Sequence, residues 1–290
     1  MRVGVAQMPI SGDLGVNLDY IANRIAQASE AGADVLLCPE TALTGYLGIS
    51  RTELPSLPPE DVHDSIEKLR SVCRTHSCAL VVGQYFKRCG LWYNNAVVID
   101  RAGRVVASYD KAHLVDLDCY EVAPGRTRAI FELDGIKSSL AICHDIRYPD
   151  LLADYGDQSV QVHFHLFYGL RSPSNLSAHD EYDALLRVRA SENGFYIVAA
   201  NVAENEQMVR SQVVDPFGQR LAKAQSWTEE VIICDIDPEK SGDSWNRKRR
   251  FDLPRSSTGS NQQSFFEQGV WERKPYMIKH DRSLKSDAPV

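Results

Sequence analysis

The chain has 290 residues, of which 43% are hydrophobic and 24% are charged, and this composition predicts a globular protein with a sizeable core. Its formal net charge of −7 argues against nucleic acid as the main partner, because phosphate binding requires a basic face. The sequence contains no stretch of about 18 apolar residues, so we expect no membrane-spanning helix.

The first residues and the cysteines predict a cytoplasmic location. Residues 1–8 read as a strand before a turn at Pro9, without the long apolar run of a secretory signal. The seven cysteines are an odd number and include no Cys-x-x-Cys pair, which favours reduced thiols over a disulfide framework.

Apolar periodicity divides the chain into alternating strands and helices. In the first half it predicts strand 3–8, a helix from Leu18 that ends at Gly32, strand 35–38, a helix over 66–72, and strands 79–85, 95–100 and 105–109. In the second half it predicts strands 130–133 and 136–142, a helix from Pro149, strand 160–167, helix 184–190, and strands 195–200, 212–215, 220–222 and 231–236. Two halves that each combine strands with helices indicate an α/β fold of two packed sheets with helices outside.

The sequence predicts one domain over residues 1–250 and a C-terminal extension over residues 251–290. No linker interrupts the first range, whereas residues 256–264 are a polar run without apolar period. The extension still contains aromatic residues such as Phe265 and Trp271, which a free tail does not need. Residues 240–290 hold eleven basic against six acidic residues. We therefore expect this end to dock on the acidic body or on a second subunit, although charge asymmetry alone is equally typical of a solvated tail.

Three polar residues lie at or after predicted strand ends, where functional loops gather in layered α/β proteins. Glu40 follows a buried strand and a proline, a position that suits a general base. Lys111 follows strand 105–109 and can stabilise a thiolate or donate to a developing oxyanion. Glu121 lies in a loop closed by a Pro-Gly pair. Each residue taken alone is also compatible with an ordinary capping, surface or loop role.

Cys143 is the most informative candidate. The apolar run before it leads into a sharp strand-to-helix turn, where backbone N–H groups point at the atom that its sulfur attacks. Cys38, Cys78 and Cys234 lie in or beside apolar strands, which is typical of buried and inert thiols. The sequence therefore predicts a nucleophilic cysteine at position 143.

Three stretches resemble the Glu, Lys and Cys motifs of the nitrilase superfamily, the carbon–nitrogen hydrolases. They are residues 38–46 (CPETALTGY), 109–114 (YDKAHL) and 141–151 (AICHDIRYPDL). Their order and spacing also match, and further similarity runs along nearly all of residues 2–250. Three motifs in register are highly specific, whereas any one of them is a weak signal.

The resemblance implies roles for the candidate residues. Glu40 corresponds to the general base, Lys111 to the oxyanion-stabilising lysine and Cys143 to the nucleophile. Glu121 corresponds to a second glutamate that supports substrate or water positioning, and the backbone N–H of His144 to a second oxyanion donor. The resemblance implies no metal and no other cofactor.

The resemblance also implies an architecture and an assembly. The family fold is a four-layer α-β-β-α sandwich of two mixed β-sheets flanked by helices. Its members usually pair as homodimers or build higher homo-oligomers, and their C-terminal extensions often reach across the partner. This pattern agrees with the docking expected of residues 251–290.

The residues around the nucleophile favour amides over nitriles. Nitrile-cleaving members typically have Trp-Glu after the cysteine, whereas this chain has His144-Asp145, which is similar to the amidase branch. The side chain of His144 is a candidate for a second proton carrier, whereas any residue at this position could supply the backbone N–H.

The predicted strand 160–167 departs further from the family pattern. Alternation places His163 and His165 on one face of it, where they are pocket donors, a metal pair or core histidines with satisfied hydrogen bonds. Arg171 lies beside the following loop and is suited to a substrate carboxylate. The residues expected to contact the substrate are Tyr46, His165, Phe167, Tyr168 and Arg171.

Together the residues predict a hydrolase that cleaves the carbon–nitrogen bond of a small linear amide through a thioester on Cys143, releasing the acid and ammonia or an amine. The alternatives are an N-carbamoyl amide hydrolase with the same catalytic residues, which would also release CO₂, and a catalytically silent binding protein. A papain-like Cys–His protease is disfavoured by the sequence around Cys143.

Overall fold

The computed structural model of the chain describes residues 1–115, 117–170 and 178–242. The strands of these ranges are β1 (Arg2–Gln7), β2 (Val35–Leu37), β3 (Ala79–Arg88), β4 (Leu91–Ile99), β5 (Val105–Asp110), β6 (Ala129–Leu133), β7 (Ile136–Ile142), β8 (Val162–Leu166), β9 (Tyr196–Ala200), β10 (Gln212–Val214), β11 (Arg220–Lys223) and β12 (Glu230–Asp235). Their α-helices are α1 (Leu14–Glu30), α2 (Pro59–His76), α3 (Asp118–Glu121), α4 (Pro149–Asp157) and α5 (Ala178–Asn193).

The chain divides into two compact units, Met1–Lys248 and Arg249–Val290. The second unit lies outside the described residues, and with it the extension predicted over residues 251–290. The first unit contains all of the elements named above.

The strands form two six-stranded mixed sheets with the same plan. The first sheet has the order β12-β1-β2-β3-β4-β5 and the second the order β11-β10-β9-β8-β7-β6. In each sheet a central trio runs parallel, β1 to β3 in the first and β7 to β9 in the second. The outer strands pair antiparallel.

Side-chain alternation along the central strands produces the layers. Val35 and Leu37 of β2 share one buried cluster with Ile142 of β7, which lies between the sheets. Leu36 belongs to a second cluster, in which Ile21 of α1 also packs. This alternation is the period-two repeat of a strand buried on both faces. With α1 and α2 on one sheet and α4 and α5 on the other, the arrangement is the predicted four-layer α-β-β-α sandwich, and the fold class is confirmed.

The β3–β4 hairpin is longer than the sequence predicts. The predicted strands stop at residue 85 and resume at residue 95, whereas β3 and β4 continue to a tight turn at Cys89 and Gly90. Both turn residues have positive φ, 50° and 81°, as two-residue hairpin turns require. Lys87 and Arg88 near the tip are exposed, so this part of the hairpin carries no apolar repeat that a sequence pattern could reveal.

The candidate residues follow strands that end on one side of the sandwich. Glu40 comes three residues after β2, Lys111 directly after β5 and Cys143 directly after β7. Strand β5 runs in the same direction as β2 and β3, because two antiparallel steps through β4 restore the direction. The carboxyl ends of these strands therefore bring distant parts of the sequence to one place.

Gly83 allows the loop after β2 to approach β3 closely. A Cβ atom on Gly83 would lie 2.7 Å from both the Cα of Glu40 and the carbonyl oxygen of Pro39, and it would also collide with the backbone nitrogen of Thr41. The amide of Leu43 donates to the carbonyl of Gly83 at 3.1 Å, which holds the same loop. The missing side chain of Gly83 thus determines where Glu40 lies.

We expect Gly83→Ala to cost about 1–3 kcal/mol of unfolding free energy and to slow the amide hydrolysis that the sequence predicts, because the backbone of Glu40 must move. Urea unfolding and initial rates measure the two effects. Gly15→Ala in α1 is the matched control, since its new Cβ would come no closer than 3.3 Å to the movable carboxylate of Asp13. Wild-type stability and activity in the Gly83 variant would contradict this account.

Candidate active site

Cys143 lies in a strained turn directly after β7. Its φ of 47° is in the left-handed region, which costs a residue with a Cβ on the order of 1–2 kcal/mol. A 3₁₀ turn, Cys143–Arg147, follows and leads into α4. The carboxylate of Asp145 accepts the backbone N–H of Ile142 at 3.0 Å, so the turn is held by a side chain of its own.

Asp145 also ties the cysteine turn to the chain around Lys111. Its carboxylate is fully buried and accepts the hydroxyl of Tyr109 at 2.8 Å. It accepts the backbone N–H of His113 at 3.0 Å and lies 2.7 Å from the Nδ1 of the same residue. Burial and the neighbouring carboxylate raise the pKa of Tyr109 well above its ordinary value, so its hydroxyl remains a donor. Asp145 thereby fixes the Cys143 turn against the segment that carries Lys111.

Glu40 is fully buried, and both of its carboxylate oxygens are bonded. Oε1 accepts the ammonium of Lys111 at 2.7 Å and the side-chain amide of Asn94 at 2.8 Å. Oε2 accepts the backbone N–H of Tyr168 at 2.8 Å. The same carboxylate lies close enough to Cys143 to raise the pKa of its thiol. Glu40 is therefore held within reach of the proton that it would have to remove.

Lys111 places a buried positive charge beside the nucleophile. Its Nζ lies 2.7 Å from Glu40 Oε1 and 3.3 Å from Asp118 Oδ2. Burial alone lowers the pKa of Lys111, but Glu40, the thiol of Cys143 and Asp118 outweigh it and raise that pKa well above its ordinary value. The side chain is therefore an ammonium, a charged donor at the centre of the site.

The thiol of Cys143 is protonated in the resting site. Burial and the nearby carboxylate of Glu40 raise the pKa of Cys143 well above its ordinary value, and the opposing effect of Lys111 is smaller. A sulfur in this state attacks only as its proton leaves. Attack by Cys143 would therefore require a base, and Glu40 is the carboxylate that most strongly affects its thiol.

The acid that completes the buried cluster is Asp118, which sequence reasoning did not single out. Its carboxylate accepts the hydroxyl of Tyr85 and the amide of Asn94, each at 2.8 Å, and it lies next to Lys111. Glu121, at the other end of the same short helix, is exposed. A four-residue helix has no apolar repeat to show which of its acids faces inward, so no signal in the sequence separates Asp118 from Glu121.

Three of the predicted substrate-contacting residues lie beside Glu40. Tyr46 and Tyr168 stack with ring centroids 4.5 Å apart, and the N–H of Tyr168 donates to Glu40. The carbonyl of Phe167 accepts the N–H of Glu40 at 3.2 Å. Arg171 lies outside the described residues.

His165 has a different environment from the one expected of a substrate contact. Its ring is fully buried, with Nε2 3.1 Å from the carbonyl oxygen of Cys143 and Nδ1 3.0 Å from the Nε2 of His163. Both ring nitrogens are therefore engaged within the protein, and this placement does not support a substrate-contacting role. In the described part of the chain, no three His, Cys, Asp or Glu side chains form a group that could hold a metal ion.

The fold and the cluster around Cys143 belong to one class of protein. The family model described as "Carbon-nitrogen hydrolase" matches residues 2–244. The chain belongs to the carbon–nitrogen hydrolase family, which confirms the resemblance predicted from its three motifs.

Characterised relatives place the chain near the amidases. It is 32% identical over 218 residues to the 2-oxoglutaramate amidase of Bacillus subtilis, covering 73% of this chain and 81% of that protein. It is 28% identical over 256 residues to the human omega-amidase NIT2, covering 82% and 89%. A solved structure of a variant of the Nesterenkonia sp. AN1 amidase, with the acetamide moiety of fluoroacetamide added at the active site cysteine, superimposes with a TM-score of 0.73 at 26% identity, covering 87% and 95%.

Among the described helices, α1 to α5, none combines the length and the apolar character that crossing a bilayer requires.

The buried histidines predict how stability depends on pH. Burial lowers the pKa of His165 to about 4 and that of His163 well below its ordinary value. An unfolded histidine titrates near pH 6.5, so between about pH 6.5 and 4 the unfolded chain binds more protons than the folded one. This contribution to stability is complete above pH 6.5 and is lost as the pH falls towards 4.

We expect the thermal midpoint to fall across that window, and to fall less steeply in His165→Gln, which cannot take up the proton. Carboxylates titrate in both proteins and cancel in the comparison. If the curves of midpoint against pH were parallel for the two proteins, His165 would not have the lowered pKa that burial gives it here. Differential scanning calorimetry in steps of half a pH unit makes the measurement.

Proposed function

We propose that this protein is an amidase that hydrolyses a small linear amide through a thioester on Cys143. The observation that carries the proposal is the buried ion pair of Glu40 and Lys111, 2.7 Å apart, beside the thiol of Cys143, whose pKa both residues influence. A base, a cationic donor and a nucleophile close together are what acyl transfer to a cysteine requires. The amidase relatives support the same chemistry.

The first half-reaction acylates the cysteine. Glu40 removes the thiol proton as the sulfur of Cys143 attacks the amide carbon. The negative charge that develops on the carbonyl oxygen is stabilised by the ammonium of Lys111 and by the backbone N–H of His144, and a donor in such a position contributes about 2.7–4 kcal/mol. Glu40 then returns the proton to the departing nitrogen, which leaves as ammonia or an amine, and a thioester remains.

The second half-reaction uses the same groups. Glu40 removes a proton from water, the hydroxide attacks the thioester carbon, and the same donors stabilise the second oxyanion. The proton returns to the sulfur as the acid departs. Asp118 holds Lys111 and Asn94 holds Glu40 in place through both steps, because Lys111 donates to Asp118 and Asn94 donates to Glu40.

The substrate that we infer is a primary amide of a short carboxylic acid. The relatives named 2-oxoglutaramate amidase and omega-amidase support an acyl chain that ends in a second carboxylate. The stacked rings of Tyr46 and Tyr168 beside Glu40 would form an apolar wall for such a chain. A panel of amides with and without the distal carboxylate measures this preference.

The proposal includes a cytoplasmic homodimer in which residues 251–290 dock on the partner subunit. The basic excess of residues 240–290 supports docking on an acidic body. The seven free cysteines support a reducing compartment. Sedimentation of the full chain and of a chain ending at residue 250 measures the contribution of the extension.

Cys143→Ala is expected to abolish ammonia release, because no other group can form the thioester. Intact-mass analysis after rapid quenching should show an acyl adduct on the wild type and none on the variant. Cys89→Ala, at the exposed tip of the β3–β4 hairpin, is the matched control and should keep full activity. Undiminished ammonia release by the Cys143 variant would overturn the proposal, and release of CO₂ with the ammonia would favour the N-carbamoyl alternative.

Asp118→Asn should lower kcat by about 10- to 100-fold, because Lys111 loses one of its two buried counter-charges. Glu121→Gln, a change of the same size on an exposed residue, should have a much smaller effect. Steady-state kinetics on both variants compares the two acids. A larger loss in the Glu121 variant would assign the second-acid role to Glu121, as the sequence predicts.

A further inference from the structure

A line of buried polar side chains ends at the backbone carbonyl of Cys143. Ser139 and His163 pair across β7 and β8, and His165 pairs with Ala141 two residues further along the same strands. The side chains of Ser139, His163 and His165 are all fully buried. The rings of Tyr155, from α4, and Phe195 lie within 5.6 Å of His163, so apolar groups surround the line.

The hydrogen bonds in this line can run in only one direction. His165 Nε2 lies 3.1 Å from the carbonyl oxygen of Cys143, and a carbonyl only accepts, so the proton of His165 is on Nε2. Its Nδ1 is then an acceptor, and His163 must donate to it from Nε2 across 3.0 Å. His163 Nδ1 in turn accepts the hydroxyl of Ser139 at 2.8 Å. Burial lowers the pKa of both rings, so both imidazoles are neutral at pH 7 and each has a defined tautomer.

The carbonyl oxygen of Cys143, which accepts the last hydrogen bond of this line, belongs to the peptide unit between Cys143 and His144. A trans peptide is planar, and its C=O and N–H point in opposite directions. Fixing the carbonyl oxygen of Cys143 therefore also fixes the direction of the His144 N–H, the proposed oxyanion donor. A hydrogen bond to the carbonyl also polarises the peptide and strengthens its N–H as a donor.

We propose that Ser139, His163 and His165 are positioning residues that orient and polarise the Cys143–His144 peptide as half of the oxyanion hole. This inference rests on the proposed amidase function and extends it to three residues that never touch the substrate. The left-handed φ of Cys143 makes this hydrogen bond necessary. Without it the strained backbone would relax and turn the N–H of His144 away from the oxyanion.

The test compares variants that keep or remove the donor at position 165. His165→Gln retains an N–H near the position of Nε2, whereas His165→Leu fills the same space without a donor. We expect kcat on a small amide to fall about 10- to 100-fold in His165→Leu with little change in KM, and to recover within a few-fold of the wild type in His165→Gln. His163→Leu should lie between them, because it frees His165 to adopt the other tautomer.

A reaction of Cys143 that forms no oxyanion distinguishes a misoriented His144 N–H from a displaced Cys143 sulfur. Alkylation of Cys143 by iodoacetamide, followed by peptide mass mapping, should proceed within a few-fold of the wild-type rate in His165→Leu. His63→Leu, which changes an exposed histidine of α2, is the control for loss of a ring and should match the wild type in both assays. Equal losses of alkylation and hydrolysis in His165→Leu would mean that the nucleophile itself has been displaced, which would overturn the proposal.

The tautomers can be measured in the unaltered protein, so the proposal stays testable even if His165→Leu does not fold. Imidazole ¹H–¹⁵N correlation spectra at pH 7 should show His163 and His165 as neutral rings protonated on Nε2. A ring protonated on Nδ1, or a charged ring, would overturn the direction of the line. Wild-type kcat in His165→Leu would overturn this inference alone, whereas a wild-type enzyme that hydrolyses no amide would overturn the proposed function together with it.

Discussion

The site depends on one buried ammonium. Lys111 is fully removed from water between the carboxylates of Glu40 and Asp118, and transferring such ions from water costs several kcal/mol each unless their remaining bonds are satisfied. Asn94, Tyr85 and the backbone N–H of Tyr168 supply those bonds to the two carboxylates. The cluster is thus stable only as a whole, and its six residues come from six different elements or loops of the chain.

The sandwich makes this cluster possible by bringing strand ends from two sheets together. Glu40 and Lys111 come from the first sheet and Cys143 from the second, so the proposed chemistry lies across the boundary between the halves of the molecule. Asp145 joins the halves through Tyr109 and His113, next to the residues that react. Because interiors are packed like crystals, small shifts between the sheets are resisted, and the three reactive groups keep their spacing.

Much of this was visible in the sequence, for reasons that differ from residue to residue. Apolar alternation predicted the central strands, and the motifs at their ends predicted Glu40, Lys111 and Cys143. Asp118 could not be chosen over Glu121, because one helical turn carries no repeat that shows which side is buried. The hydrogen bonds of His163 and His165 could not be predicted either. Alternation places both rings on one face of the strand, but it does not show that they bond to each other or that His165 reaches the carbonyl of Cys143.

The resting state of Cys143 has a consequence for its chemical durability. Oxidation by peroxide proceeds through the deprotonated sulfur, and burial beside Glu40 keeps this sulfur in its protonated form. In the proposed mechanism the thiol loses its proton only as the sulfur attacks a bound amide. Between turnovers the sulfur therefore stays in the form that peroxide oxidises slowly, and the carboxylate that would start each turnover also helps to keep it there.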